Sequence, residues 1–197
     1  MADELTDEGL LEQARGGDEA AFLSLYERYR AAVYRFAFRL LGSAALAEDV
    51  AHDCFLSLLK QPQLFDPARA SLRTYLYAAA RNLALKQFRR QRGEALLDDC
   101  VNEPRAPEAE QPLDQLLAAE LAEVVRRGVE SLPPLQREAL VLFEYEELSL
   151  AEIAEVVGAD VGTVKARLWR AREGLRKTLV PYLTARGARA VRREKRG

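Results

Sequence analysis

The chain has 197 residues, nearly half of them apolar, with 29 Lys and Arg against 31 Asp and Glu and a formal net charge of −2. One histidine, His52, and two cysteines, Cys54 and Cys100, exclude a multi-histidine centre, a zinc spacing and a disulfide framework; this argues against enzymatic activity and leaves only carboxylate chemistry open. The small net charge hides a segregation: residues 93–160 carry 17 acids against 4 cations, and residues 161–197 carry 12 cations against 2 acids. Such a basic block seeks a polyanion, and the acidic block avoids one.

In chain order, Asp18 can cap a helix running to Leu41, with Phe22, Tyr26, Tyr29, Val33, Ala37 and Leu40 recurring at steps of three and four. Gly42 ends it and Ser43 caps the next. That second helix carries Leu46, Val50, Cys54 and Leu58 on one stripe with Ala51, Phe55 and Leu59 beside it, a width that predicts burial between neighbours. Pro62 and the Phe65-Asp66-Pro67 run mark a loop. A third helix is expected from about Ala68 to Gln91, with Leu72, Leu76, Ala79 and Leu83 inward. Three prolines and a run of acids between 93 and 112 then predict an extended, flexible linker.

Beyond the linker, Leu113, Leu116, Leu117, Leu121, Val124 and Val125 predict one helix, and the SLPP run at 131–134 closes it and starts another. Ser149 with Glu152 forms a capping box. It opens a short helix through Val157, followed by a Gly-Ala-Asp turn and a basic helix: the outline of a helix-turn-helix. Two small helical domains are expected, at 1–92 and 113–183, joined by the linker 93–112 and followed by a basic tail at 184–197 that is disordered at its end.

On a helical wheel, Val164, Leu168, Ala171 and Leu175 face inward, Thr163, Ala166, Arg167 and Arg170 face outward, and Lys165, Trp169 and Arg172 lie at one flank. A major groove admits one helix between phosphate walls, over a floor of base edges. Small residues at entry, cations outward and apolar residues inward suit that shape, and Gly162 lets backbone approach a phosphate. In the first domain, Arg69, Arg73, Arg81, Lys86, Arg89 and Arg90 interleave with Tyr75, Tyr77 and Phe88, the mixture needed to hold a backbone and stack an unpaired base. Tyr77, Arg81 and Phe88 are placed away from the Leu72–Leu76 face. The aromatics equally suit packing on the helix at 19–41. Cys54 reads as a small core residue.

The segment LPPLQREALVLFEYEELSLAEIAEVVGADVGTVKARLWRAREGLRKTL, 132–179, resembles the promoter-recognition domain of the extracytoplasmic-function sigma factors of bacterial RNA polymerase. AEDVAHDCFLSLLK at 47–60 resembles that family's polymerase-binding helix, and LRTYLYAAARNLALKQFRR at 72–90 its promoter-melting helix. The resemblance implies a subunit that gives core polymerase promoter specificity, with no enzymatic activity, no metal, nucleotide or other cofactor of its own, and partners in polymerase, promoter DNA and an anti-sigma factor. It implies minus-35 contacts at Thr163, Lys165, Ala166, Arg167, Trp169 and Arg170. It implies minus-10 contacts at Arg69, Arg73, Tyr77, Arg81, Asn82 and Lys86, with the loop at 61–70 forming a pocket for a flipped base. Polymerase would meet Glu48, Asp49, His52, Asp53 and Phe55. His52 stands where glutamine is frequent in the family, Asp53 where glutamate is, Cys54 where threonine often is, and Leu59 where tryptophan is common.

A stand-alone helix-turn-helix regulator would explain 113–183 but not the basic, aromatic strip of the first domain. A second alternative is a protein-interaction adaptor whose helices bind a regulatory partner, with the basic tail as a nonspecific anchor. No apolar run approaches the ~20 residues that span a bilayer. The opening MADELTDEGLLEQARGGDEA lacks the chemistry of a secretory signal, so a cytoplasmic location is expected, at most tethered at the inner membrane through an anti-sigma factor.

Overall fold

A computed structural model describes residues 6–61, 64–94 and 113–194; most of the linker lies outside the described residues. Eight α-helices occupy them, with no strand among the described residues. The first four are α1 (Asp7–Arg15), α2 (Glu19–Leu41), α3 (Ala44–Lys60) and α4 (Leu72–Glu94), and these pack together as one bundle. The second bundle comprises α5 (Leu113–Glu130), α6 (Pro134–Glu144), α7 (Leu150–Val157) and α8 (Val161–Glu194).

Local chemistry sets most boundaries. The Asp18 carboxylate accepts from the Ala20 and Ala21 amides at 2.9 and 3.2 Å, and Gly42 closes α2 in the left-handed region at φ 71°. Ser43 then accepts from the Leu46 amide. Each such cap stabilises its helix by about 1 kcal/mol. The helix α1 was not foreseen. Thr6 caps it, acids occupy its first turn, and Leu10 and Leu11 are buried. Asp7 binds it to α2, pairing with Arg28 at 2.5 Å and accepting from the Tyr29 hydroxyl.

The third predicted helix begins at Leu72, not near Ala68. Asp66 accepts from the Ala68 amide through its side chain and from Arg69 and Ala70 through its carbonyl, closing a separate turn. Ser71 accepts from the Thr74 amide at 3.2 Å and is the true start signal. At the other end of the chain, α8 continues through the segment set apart as a basic tail as far as Glu194.

The core of the first bundle is built on Leu25, Val33, Phe36, Val50, Cys54, Leu58, Leu72 and Leu76. Burying each large side chain contributes roughly 1.5–3 kcal/mol before entropy is charged against it. Leu59, expected beside this stripe, is instead exposed. In the second bundle, Leu140, Leu142, Ile153, Val156, Val164 and Leu168 fill the space between α6, α7 and α8. The two bundles meet where α4 packs on α7 and α2 on α6. Arg137 of α6 crosses this junction to donate to the Leu40 carbonyl at 2.7 Å, a cation placed at the negative end of α2.

Candidate nucleic-acid interface

The helix-turn-helix is assembled by short-range bonds. Ser149 accepts from the Glu152 amide at 3.2 Å while Glu152 accepts from the Ser149 amide at 2.8 Å, completing the expected capping box at α7. Gly158 turns the chain at φ 64°, a left-handed conformation that favours glycine. Asp160 starts α8, accepting from the Thr163 amide at 2.9 Å and from its hydroxyl at 2.6 Å. Those two bonds hold the Asp160 carboxyl below the ordinary aspartate range. A Cβ at Gly162 would stand 2.9 Å from the Asp160 Oδ1, so glycine here keeps the cap intact.

Three of the four inward positions, Val164, Leu168 and Ala171, are buried, and Leu175 is half-buried. Lys165, Ala166, Trp169 and Arg170 are exposed on α8. Lys165 and Arg170 have no ion pair among the described residues. Trp169 is 68% exposed, which is unusual for the largest apolar side chain. Arg172 pairs with Glu144 at 2.7 Å and lies over the Phe143 ring.

Two outward assignments on α8 need correction. The Thr163 hydroxyl is spent on the Asp160 cap. Arg167 is only 17% exposed and sits 3.7 Å from Glu138 Oε1, because the wheel gives a direction but not what covers it.

The basic, aromatic strip of α4 divides similarly. Arg69 in the preceding turn, with Asn82 and Lys86, is exposed as expected. Tyr77 is not: it is 2% exposed, edge-on to Phe36 at 5.2 Å, and donates its hydroxyl to Glu146 Oε2 at 2.6 Å. Arg73 donates to the Glu146 carbonyl and lies 5.8 Å from the centre of the Tyr77 ring. Arg81 pairs with Glu138 Oε2 at 2.9 Å. The sequence placed Tyr77 and Arg81 away from their own core. The Tyr77 ring instead packs on Phe36 in that core, while Arg81 faces away from it and is covered by the second bundle.

Beside this strip, Ser57, Leu64, Tyr75, Asn82 and Leu83 line a cavity of about 300 Å³ between α3, the loop after it and α4. Tyr75 is fixed there edge-on to buried Phe65 at 5.4 Å. Elsewhere, α2 and α3 enclose a wider groove of about 720 Å³ that gathers Glu48, Asp49 and His52 with Tyr34, Arg30 and Arg35. Asp53 is exposed on the same helix. Phe55, expected as a surface contact, is 2% exposed and packs against Tyr26 at 4.9 Å; it supports the groove from beneath. Sequence reasoning overlooked Tyr34, Arg30 and Arg35, although Arg30 and Tyr34, one helical turn apart on α2, carry a signal.

Comparison with known proteins agrees with this layout. The sigma-70 region 2 family matches residues 25–94, and sigma-70 region 4 matches residues 122–175. The chain is 32% identical over 177 residues to the ECF RNA polymerase sigma factor SigW of Bacillus subtilis, covering 86% of this chain and 94% of that one. It is 30% identical over 191 residues to the ECF RNA polymerase sigma-E factor of Haemophilus influenzae, covering 93% of this chain and all of that one. The fold is also that of CnrH in complex with the cytosolic domain of CnrY, at a TM-score of 0.65 and 24% identity over 89% of this chain and 97% of that chain. The chain belongs to the extracytoplasmic-function sigma factors of RNA polymerase, which are initiation factors and not enzymes. No helix among the described residues is long and apolar enough to cross a membrane.

Proposed function

We propose that this sigma factor reads the minus-35 element with Lys165, Ala166, Trp169 and Arg170 of α8, and opens the minus-10 element with the α4 strip and the cavity beside it. Arg69, Asn82 and Lys86 hold the backbone there, and the cavity between Tyr75 and Leu83 receives an extruded base. Extrusion costs a few kcal/mol of stacking, which a pocket lined by an aromatic ring and an amide can offset. Core polymerase docks on the α2–α3 groove through Glu48, Asp49, His52 and Asp53.

The observation that carries this reading is the exposed pair Lys165 and Arg170, projecting from a helix whose other face is buried against α6 and α7. An isolated basic helix could be mere solvated surface; one positioned by a capping box and a left-handed glycine turn has the docking geometry of a recognition helix. Solved relatives of similar fold are bound to anti-sigma factors, among them the RpoE–NepR complex of Bartonella quintana (TM-score 0.62, 23% identity over 80% of this chain and 96% of that one). A regulatory partner of that kind is proposed for this chain too. Run-off transcription tests the whole reading: core polymerase should start RNA at defined genomic promoters only when the chain is added. Identical start sites with and without it would refute the assignment.

A further inference from the structure

The helix α1 has no part in the function proposed above, and it lies ahead of residues 25–94, where the sigma-70 region 2 family matches. It is nonetheless fastened at both ends. Asp7 in its first turn pairs with Arg28 of α2 at 2.5 Å and accepts from the Tyr29 hydroxyl. Arg15 in its last turn donates to the Phe65 carbonyl at 3.4 Å, in the loop between α3 and α4. Leu10 and Leu11 between them are buried. Covering α2 would require only the first tether and the two leucines; the second tether reaches past α2 to the loop.

Phe65 stands next to the cavity that the loop shares with α3 and α4. Its ring is buried and lies edge-on to Tyr75 at 5.4 Å. Tyr75 and Leu64, the residue before Phe65, both line the cavity. Leu64 is 58% exposed, so burial does not fix it, and its place follows from the backbone of its neighbours. Beyond Phe65, Asp66 holds Ala68 through its carboxylate and Arg69 and Ala70 through its carbonyl. The Phe65 carbonyl takes no part in the bonds of that turn and is held from outside, by α1.

We propose that α1 positions the base-receiving cavity: Arg15 holds the Phe65 backbone, Phe65 holds Tyr75, and Leu64 and Tyr75 stand as finished walls before a base arrives. The inference rests on the role proposed above for the cavity. Arg15 does not line the cavity, so it is a positioning residue and touches no base. A pocket offsets the stacking lost on extrusion only if its walls need no ordering of their own at that moment. Arg15 therefore acts on capture of the base, and leaves docking on polymerase and minus-35 binding to other surfaces.

The test uses the full chain with core polymerase on a promoter that gives a run-off product. A fluorescent base analogue replaces each minus-10 base in turn and brightens when that base leaves the stack. Arg15 is exposed, so Arg15→Ala leaves the core intact; Glu12→Ala truncates another exposed side chain of α1 as a control. Arg15→Ala should slow the rise at one minus-10 position by at least about fivefold, with Arg15→Lys, which keeps a donor, closer to wild type. Polymerase association and minus-35 duplex binding should stay within about twofold in both, and Glu12→Ala should match wild type throughout. A wild-type rate in Arg15→Ala, or an equal loss in Glu12→Ala, overturns the inference while wild-type run-off keeps the proposed function standing. No run-off and no rise with the wild-type chain overturns that function, and this inference with it.

Discussion

The Tyr77 ring and the Tyr77 hydroxyl belong to different bundles: the ring packs edge-on against Phe36 of α2, and the hydroxyl donates to Glu146 after α6. Packing and hydrogen bonding at this residue can therefore be separated by mutation. Burial and the Glu146 carboxylate together push its phenol far above the ordinary tyrosine value, so it stays a neutral donor at any physiological pH. Tyr77→Ala should cost the first bundle about 3–5 kcal/mol, the usual loss for a large buried aromatic. Tyr77→Phe keeps the ring and should cost less, about 1.5–3 kcal/mol, by taking one donor from the buried Glu146 carboxylate. Urea denaturation followed by far-UV circular dichroism measures both, and equal losses would mean the ring contributes no packing.

The capping box makes a second, independent prediction. Ser149→Ala removes one bond directly and frees Glu152 from its reciprocal geometry. The expected loss is about 1 kcal/mol from the second bundle, seen as a thermal midpoint several degrees lower. An unchanged midpoint would show that α7 is held by its buried Ile153, Val156 and Val157 alone.

Gly158 isolates a backbone effect. A Cβ there meets nothing within 4 Å, yet φ is +64°. Gly158→Ala should therefore destabilise by about 1 kcal/mol through conformation alone. A neutral result in thermal denaturation would place the turn in another conformation.

The Asp160 cap has a definite pH dependence. Its folded pKa is depressed by the Thr163 hydroxyl and amide, so its contribution is complete above the unfolded aspartate value and is lost as pH falls through the lower folded value. An NMR titration should place the Asp160 midpoint below the ordinary 3.8, and Thr163→Ala should raise it. A midpoint at or above 3.8 in the wild-type chain would mean the cap is unformed.

The parts legible from sequence were those written in short-range chemistry. Asp18, Gly42, Ser43 and the Ser149–Glu152 pair each declare a boundary within four residues, and α2, α3 and α7 follow from them. The start of α4 was placed near Ala68, four residues early, because the Asp66 turn that excludes Ala68 depends on side-chain bonding. Tyr77 was placed away from a core that its ring in fact joins, and Phe55, Arg81 and Arg167 were assigned to partners although the protein itself covers them. Their covers, Tyr26 for Phe55 and Glu146 or Glu138 for the others, come from segments up to 69 residues away, and no periodicity within one helix carries that information.

Among the exposed α8 residues, Arg170 and Lys165 should differ in kind. A guanidinium can pair bidentately with a guanine edge, whereas an ammonium acts on phosphate as a point charge. Arg170 stands one residue beyond Trp169 and one turn beyond Ala166, on the exposed face proposed to enter the groove. Arg170→Ala should cost about 1–3 kcal/mol on the correct minus-35 sequence and relax discrimination at one base pair. Lys165→Ala should weaken binding alike on all sequences and lower the salt dependence by about one ion. Fluorescence anisotropy across duplexes with each minus-35 position varied, at two salt concentrations, separates the two patterns. A uniform loss for Arg170→Ala would make it a second phosphate contact and move base reading to Ala166 and Trp169.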